Sequence, residues 1–209
     1  DAAELDLRVS ALAPASRALL TRLGIWDELP VERVCAYERM CVWQAEGTAG
    51  VARSINFAAA EMGVPDLGHI VENRAIRTAL WQQLEACGSV ELLTGREPQL
   101  LSESAGHVTL TFNDESELTA RLVIGADGAH SWVREQLNVE WHERAYGQAG
   151  LVAHIASERP HARTAWQRFL RGGPVALLPL ADGRSSLVWS CPAGEVEALK
   201  QMPADEFGA

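Results

Sequence analysis

The stretch Leu122-Val123-Ile124 running into Gly125-Ala126-Asp127-Gly128-Ala129-His130-Ser131-Trp132-Val133-Arg134 constrains this chain more than any other. An apolar run that stops at a glycine predicts a buried strand, Leu118 to Ile124, entering a tight turn. The residues that follow, His130 to Leu137, predict a short helix. Strand, Gly-x-Asp-Gly turn and helix start together bring one carboxylate beside several backbone N–H groups. That geometry can hold the hydroxyls and phosphates of a nucleotide cofactor. Asp-Gly alone is a common turn dipeptide, whereas the longer pattern G-A-D-G-x-x-S-x-x-R is far more specific.

The rest of the chain predicts a mixed architecture. Pro14 to Leu23 reads as a helix, with proline suited to the first turn and Gly24 as the stop. Arg39 to Trp43 and Ala52 to Phe57 read as strands around a turn at residues 46–50. Asn73 to Cys87 is the clearest helix, with Ile76, Ala79, Leu80, Leu84 and Cys87 at helical spacing. Val90 to Leu93, Gln99 to Leu101 and His107 to Phe112 read as strands, with a turn at Asn113-Asp114-Glu115-Ser116. Beyond about Tyr146 the texture becomes β-rich. Strands are expected at Leu151 to Ile155, Ala165 to Leu170, Val175 to Leu180 and Ser185 to Ser190, with turns at Gly172-Gly173 and Asp182-Gly183. Gly194 to Met202 reads as a helix.

Composition narrows the chemistry. A formal charge of -10, with Lys200 the only lysine and the arginines scattered, argues against a nucleic-acid partner. Cys35, Cys41, Cys87 and Cys191 form no C-x-x-C pair and read as neutral thiols of a reducing cytosol. The six histidines lack a metal-ligand spacing, so no metal site is expected. No apolar stretch approaches the roughly 20 residues needed to span a bilayer. A G-x-S-x-G nucleophile elbow and a G-x-x-x-x-G-K-[ST] phosphate loop are both absent from the sequence, which disfavours hydrolase and P-loop chemistry.

The pattern Gly125 to Arg134 resembles the second fingerprint of the FAD-dependent aromatic-ring monooxygenases, the p-hydroxybenzoate hydroxylase class. Further stretches resemble the ubiquinone-biosynthesis hydroxylases within it. These are Leu7-Arg8-Val9-Ser10-Ala11-Leu12, Leu23-Gly24-Ile25-Trp26, Leu67-Gly68-His69-Ile70-Val71-Glu72-Asn73, Trp166-Gln167-Arg168-Phe169, Gly173-Pro174, Leu178-Pro179-Leu180 and Ser186-Leu187-Val188-Trp189. The resemblance implies an α/β (α+β mixed) fold in which a partial Rossmann-like FAD-binding domain, residues 1–38 and 68–145, interleaves with a substrate-domain β-sheet, residues 39–67 and 146–209. It also implies FAD as cofactor, NAD(P)H as electron donor, dioxygen as co-substrate, and a prenylated phenol or benzoquinol as the ring hydroxylated. A place in a ubiquinone-biosynthesis complex and a cytoplasmic location peripheral to the inner membrane would follow. The pairing of Trp166-Gln167-x-Phe169 with Ser186 to Trp189 leans toward a methoxy-methyl-benzoquinol substrate.

That family begins with a G-x-G-x-x-G turn and carries a later Gly-Asp segment. Neither stands in this sequence, so it reads as a fragment truncated at both termini. Two rival readings stay open: a non-catalytic or truncated module in a quinone-biosynthesis complex, and a FAD-dependent reductase or dehydrogenase.

For the cofactor, the resemblance points to Arg8, Asn73, Gly125, Asp127, Gly128, Ser131 and Arg134. Asp127 suits sugar hydroxyls, and the glycines let backbone approach a diphosphate. Alternatively, Asp127 merely caps the next helix. Ser131 suits a helix cap, and Arg134 suits a carboxylate partner or a brace for the loop. Arg8 offers a guanidinium fork to phosphate. Asn73 reads equally as a helix N-cap. Trp166, Phe169, Leu178, Pro179 and Trp189 are the candidate walls of an apolar substrate pocket, although alternating apolar strand residues are by default sheet core. No catalytic side chain is assigned, and His69 and His154 are given no role.

Overall fold

A computed structural model of the chain describes residues 5–45 and 54–207. The turn expected at residues 46–50, and the first two residues of the strand expected from Ala52, lie outside the described residues. The chain divides into two compact units, residues 1–87 with 145–209, and residues 88–144.

The first unit opens with strand β1 (Val9–Leu12) and helix α1 (Pro14–Arg22). Pro14 occupies the first turn, where its missing N–H has no partner to lose, and Gly24 follows at φ +71°, the left-handed conformation that ends a helix. Next come β2 (Val34–Tyr37), β3 (Arg39–Gln44), β4 (Ser54–Ala58), β5 (Gly68–Glu72) and helix α2 (Asn73–Ala86). Strands β1, β5 and β2 form an antiparallel sheet with β5 in the centre, buried along its whole length. One side of this small sheet holds Val71 against Ile25, Leu29 and Ala79, flanked by Ile76 and Leu80 of α2. Each fully buried Ile or Val in such a cluster contributes about 1.5–3 kcal/mol. The other side holds Ile70 and Cys35.

The second unit contains the meander β6 (Pro98–Ser104), β7 (His107–Phe112) and β8 (Glu117–Ala120), then the short helix α3 (Trp132–Gln136). Asp114 makes the β7–β8 turn by accepting the amide and the hydroxyl of Ser116. Two expected strands are corrected here. Val90–Leu93 is irregular, and the strand leading to the Gly-x-Asp-Gly turn stops at Ala120. Leu122 and Ile124 stand 72% and 77% exposed rather than buried. An apolar run becomes a strand only where a neighbour supplies ladder partners, and no described strand pairs with either segment.

The chain then returns to the first unit with β9 (Gln148–Ile155), β10 (Thr164–Leu170), β11 (Gly173–Pro179), β12 (Ser185–Pro192), α4 (Val196–Gln201) and α5 (Ala204–Phe207). These strands join β3 and β4 in a six-stranded sheet of order β4-β3-β10-β11-β12-β9. Every pairing is antiparallel except β3 with β10, which runs parallel from Arg39↔Thr164 to Gln44↔Phe169. Gly173, at φ +140°, sits so close to the backbone of Ser190 that a Cβ there would press on the Ser190 carbonyl. Leu178 and Leu180 on one face of this sheet pack against Cys35 and Ile70 of the small sheet, so that face is the inner one.

Candidate functional site

In the second unit the loop after β8 is wired around Asp127. One carboxylate oxygen accepts the Ser131 hydroxyl at 2.5 Å and the other accepts the Val133 amide at 3.1 Å. Ser131 Oγ in turn accepts the Arg134 amide at 3.1 Å, which makes Ser131 the N-cap of α3. The Arg134 guanidinium reaches back to the Ala129 carbonyl at 2.8 Å and lies over the Trp141 ring at 4.3 Å. Arg134 is therefore a brace of the loop, and Asp127 is committed in part to capping. A carboxylate has about four acceptor positions, so the exposed Asp127 keeps capacity for further donors. The Ser131 hydroxyl and then the Val133 amide hold the Asp127 carboxyl below the usual carboxylate range, so it is ionised and acceptor-only at neutral pH.

The glycines of this loop have separate reasons. A Cβ on Gly125 would come within 3.1 Å of the Val133 side chain, whereas Gly128 takes φ +88° in open space. Gly125, Asp127 and Gly128 are all exposed. The loop thus presents backbone and a carboxylate to solvent on a preformed frame, which fits a sugar–phosphate ligand.

In the first unit Arg8 and Asn73 lie side by side. The Asn73 amide donates to the Arg8 carbonyl at 3.0 Å, and Asn73 Oδ1 accepts the Ser10 hydroxyl at 2.6 Å. The helix-cap expectation for Asn73 is corrected. Asn73 is already the first residue of α2, and its side chain makes no cap bond because Ser10 on β1 engages it. The capping is done instead by Asp6, whose carboxylate accepts the amide of Arg74 at 3.2 Å and that of Arg8 at 3.4 Å. Arg8 itself is exposed, and its guanidinium has no partner among the described residues, which suits an anion.

Beneath this pair runs a buried ionic group that the sequence did not announce. Glu72, only 3% exposed, accepts the Asp6 amide at 2.9 Å and the Arg33 guanidinium at 3.1 Å and 3.4 Å. Nothing in the spacing connects residues 6, 33 and 72; only the β1–β5 and β2–β5 pairings do. His69 sits against Asp66 at 3.5 Å and edge-on to Trp26 at 4.9 Å. Burial pushes its pKa down, with Asp66 opposing and Arg17 assisting.

The five expected pocket residues are split by the register. Trp166, Pro179 and Trp189 point to the outer face of the six-stranded sheet, and Phe169 and Leu178 to the inner one. Trp189 lines an open outer cavity of about 1020 Å³ with Leu151, Val175, Leu187 and Phe207. Trp166 lines a separate groove with Cys41 and Phe57, and meets Trp43 edge-on at 6.2 Å. Pro179 is wholly buried. The five therefore do not form one pocket wall.

The inner face carries a feature the sequence reading passed over. Ser186 and His154 are direct cross-strand partners. Ser186 Oγ and His154 Nε2 are both buried with no hydrogen-bond partner among the described residues. An orphaned buried polar atom costs about 1–3 kcal/mol. Burial, and then Arg184, push the His154 pKa down against Asp182, Glu72 and Asp6, so the ring is neutral at pH 7.

Set beside known proteins, the chain matches the family described as FAD binding domain over residues 8–206. It is 37% identical over 197 residues to the 3-demethoxyubiquinol 3-hydroxylase of Escherichia coli, covering 94% of this chain and 49% of that protein. It is 37% identical over 213 residues to the human mitochondrial ubiquinone biosynthesis monooxygenase COQ6, covering 96% and 44%. It is 36% identical over 208 residues to the ubiquinone hydroxylase UbiL of Rhodospirillum rubrum, covering 100% and 47%. The chain thus spans about half the length of these curated relatives. Among solved structures it superposes on Pseudomonas aeruginosa PqsL in complex with 2-aminobenzoylacetate with a TM-score of 0.75 at 22% identity, covering 92% of this chain and 52% of that one. Klebsiella pneumoniae HpxO complexed with FAD and uric acid gives 0.67 at 21% identity, covering 91% and 48%.

Proposed function

Because the chain belongs to the FAD binding domain family over residues 8–206, we propose that it serves a flavin-dependent monooxygenase. The proposed reaction hydroxylates the ring of a prenylated phenol or benzoquinol in ubiquinone biosynthesis, with NAD(P)H as electron donor and dioxygen as oxidant. The three relatives named above carry ubiquinone-pathway hydroxylase or monooxygenase names at 36–37% identity, which supports the ring class rather than one ring position.

The observation that carries the reading is the frame around Asp127. In this proposal the ionised Asp127 accepts hydrogen bonds from cofactor hydroxyls while Ser131 and Val133 fix its orientation. Gly125 and Gly128 admit close approach of the diphosphate, and Arg134 holds the loop through Ala129. The exposed Arg8 guanidinium would pair with phosphate oxygens, and Asn73, anchored by Ser10, would offer its amide donors. FAD, when bound, supplies the redox chemistry with dioxygen; the protein binds, orients and excludes water.

The division into a FAD-binding part, residues 1–38 and 68–145, and a substrate sheet, residues 39–67 and 146–209, belongs to the same proposal. It is supported by β3 and β4 hydrogen-bonding into the sheet of β9 to β12 while β1, β2 and β5 form a sheet of their own. No helix among the described residues is long and apolar enough to cross a membrane. Cytoplasmic residence at the inner-membrane surface and membership of a biosynthetic complex are proposed with the pathway.

The test is spectroscopic and chemical. The intact protein should be yellow with bound flavin and should release a hydroxylated quinol under dioxygen and NAD(P)H. Asp127→Ala is expected to lower flavin retention by about 10-fold or more, the loss of charge-assisted hydrogen bonds. Unchanged flavin content and unchanged reduction kinetics in that variant would refute the assignment. A colourless protein that takes up no FAD would favour the non-catalytic module, and quinol consumed without ring hydroxylation would favour a reductase.

A further inference from the structure

Across β11, β12 and β9 the residues Leu178, Ser186 and His154 stand in one row on the inner face of the six-stranded sheet. Cross-strand partners hold their Cβ atoms about 4.5–5.5 Å apart. Ser186 is 0% exposed, and its hydroxyl finds no partner among the described residues; neither does the buried Nε2 of His154 beside it. Folding has placed a hydroxyl and an imidazole nitrogen together beside Leu178 and Leu180, which are apolar and pack on Cys35 and Ile70. A serine hydroxyl offers one donor and two acceptor positions, and a neutral imidazole offers one of each.

We infer that His154 and Ser186 form a two-point polar contact for a single oxygen borne on an aromatic ring, a phenolic hydroxyl or quinone carbonyl, with Leu178 as the apolar neighbour. A ring oxygen is the right size of polar group and needs no charge: a phenolic hydroxyl can accept from one of the pair while donating to the other, and a quinone carbonyl can accept from both. A carboxylate or phosphate is excluded by the surroundings. The carboxylates of Asp182, Glu72 and Asp6 bear on His154 and oppose a second anion there, with Arg184 acting the other way. The pair are positioning residues for the ring, and the identity of that ring as a substrate rests on the hydroxylase reading above.

The same chemistry occurs on the carbonyl edge of a flavin, so the experiment uses both probes. With the intact protein, 2-methoxyphenol and its methyl ether 1,2-dimethoxybenzene are titrated against wild type, Ser186→Ala and His154→Phe, and lumiflavin is titrated in parallel. Wild type is expected to prefer the phenol by about 3- to 10-fold, the worth of one neutral hydrogen bond. Each variant should bring the ratio close to one while leaving lumiflavin binding unchanged. Removal of an orphaned hydroxyl should also leave the ligand-free Ser186→Ala protein melting no lower than wild type, whereas a purely structural serine would lower it. A phenol preference untouched in both variants overturns the inference. So does a loss confined to lumiflavin, which would hand the pair to the cofactor. A protein that binds no FAD yet still discriminates phenol from ether would sink the flavoenzyme reading and leave this contact standing.

Discussion

The Gly173→Ala substitution isolates what the β10–β11 hairpin demands of its backbone. At φ +140° an L side chain is strained, which costs about 1–3 kcal/mol. The added methyl would also stand 3.0 Å from the Ser190 carbonyl carbon and 3.1 Å from Gln148 Nε2. The glutamine can swing aside; the Ser190 carbonyl belongs to β12 and cannot. Overpacking against fixed atoms adds about 1–3 kcal/mol, for an expected total of about 4 kcal/mol. Gly183→Ala is the control, because its φ is +90° but nothing lies within 4 Å of the new methyl. That variant should lose only about 1–2 kcal/mol of left-handed strain. Urea titrations with an unchanged slope should therefore separate the two midpoints by about 2 kcal/mol or more. In a chain of this size the Gly173 variant should melt roughly 8–16 °C lower. Equal losses in both variants would show that Ser190 yields freely and that the close approach carries no energy.

Two further outcomes are expected. Arg33→Met should destabilise by about 3 kcal/mol in chemical denaturation, since it strips its guanidinium from the buried Glu72 carboxylate; adding Glu72→Gln to that variant should recover part of the loss, and no recovery would count against the ion pair as the cause. Because burial holds His69 and His154 below their ordinary value of 6.5, the unfolded chain binds more protons than the folded one as pH falls past that point. Stability is then complete above pH 6.5 and is lost as pH drops through the lowered values. His154→Asn should flatten part of that slope in urea midpoints measured between about pH 8 and about pH 5.

Local signals survived the passage from sequence to structure, and those that depend on a distant partner did not. Pro14 and Gly24 bracket α1 and Ser131 caps α3, because these helix ends are decided by residues within one turn of them. The α2 face of Ile76, Ala79 and Leu80 was legible from periodicity alone. By contrast, Leu122 to Ile124 has the composition of a strand but no described ladder, and composition cannot supply one. Asn73 shows the same limit: it is a favoured cap residue, yet Ser10, 63 positions away, claims its side chain. Asp6 does the capping from 68 positions away. The split of Trp166 from Phe169 follows from strand alternation and could have been read in advance. The facing of Ser186 and His154 required the β12–β9 register.

The parallel seam between β3 and β10 has a temporal consequence. Arg39 meets Thr164 only after a separation of 125 residues. At a synthesis rate of about 5–20 residues per second, the ribosome needs roughly 6–25 s to deliver the second strand. Through that interval the early β3–β4 ribbon carries an unsatisfied edge, open to neighbouring nascent chains. The hairpins β10-β11-β12 close over short loops and can assemble first, so the oldest strands of the large sheet are the last to be locked in place.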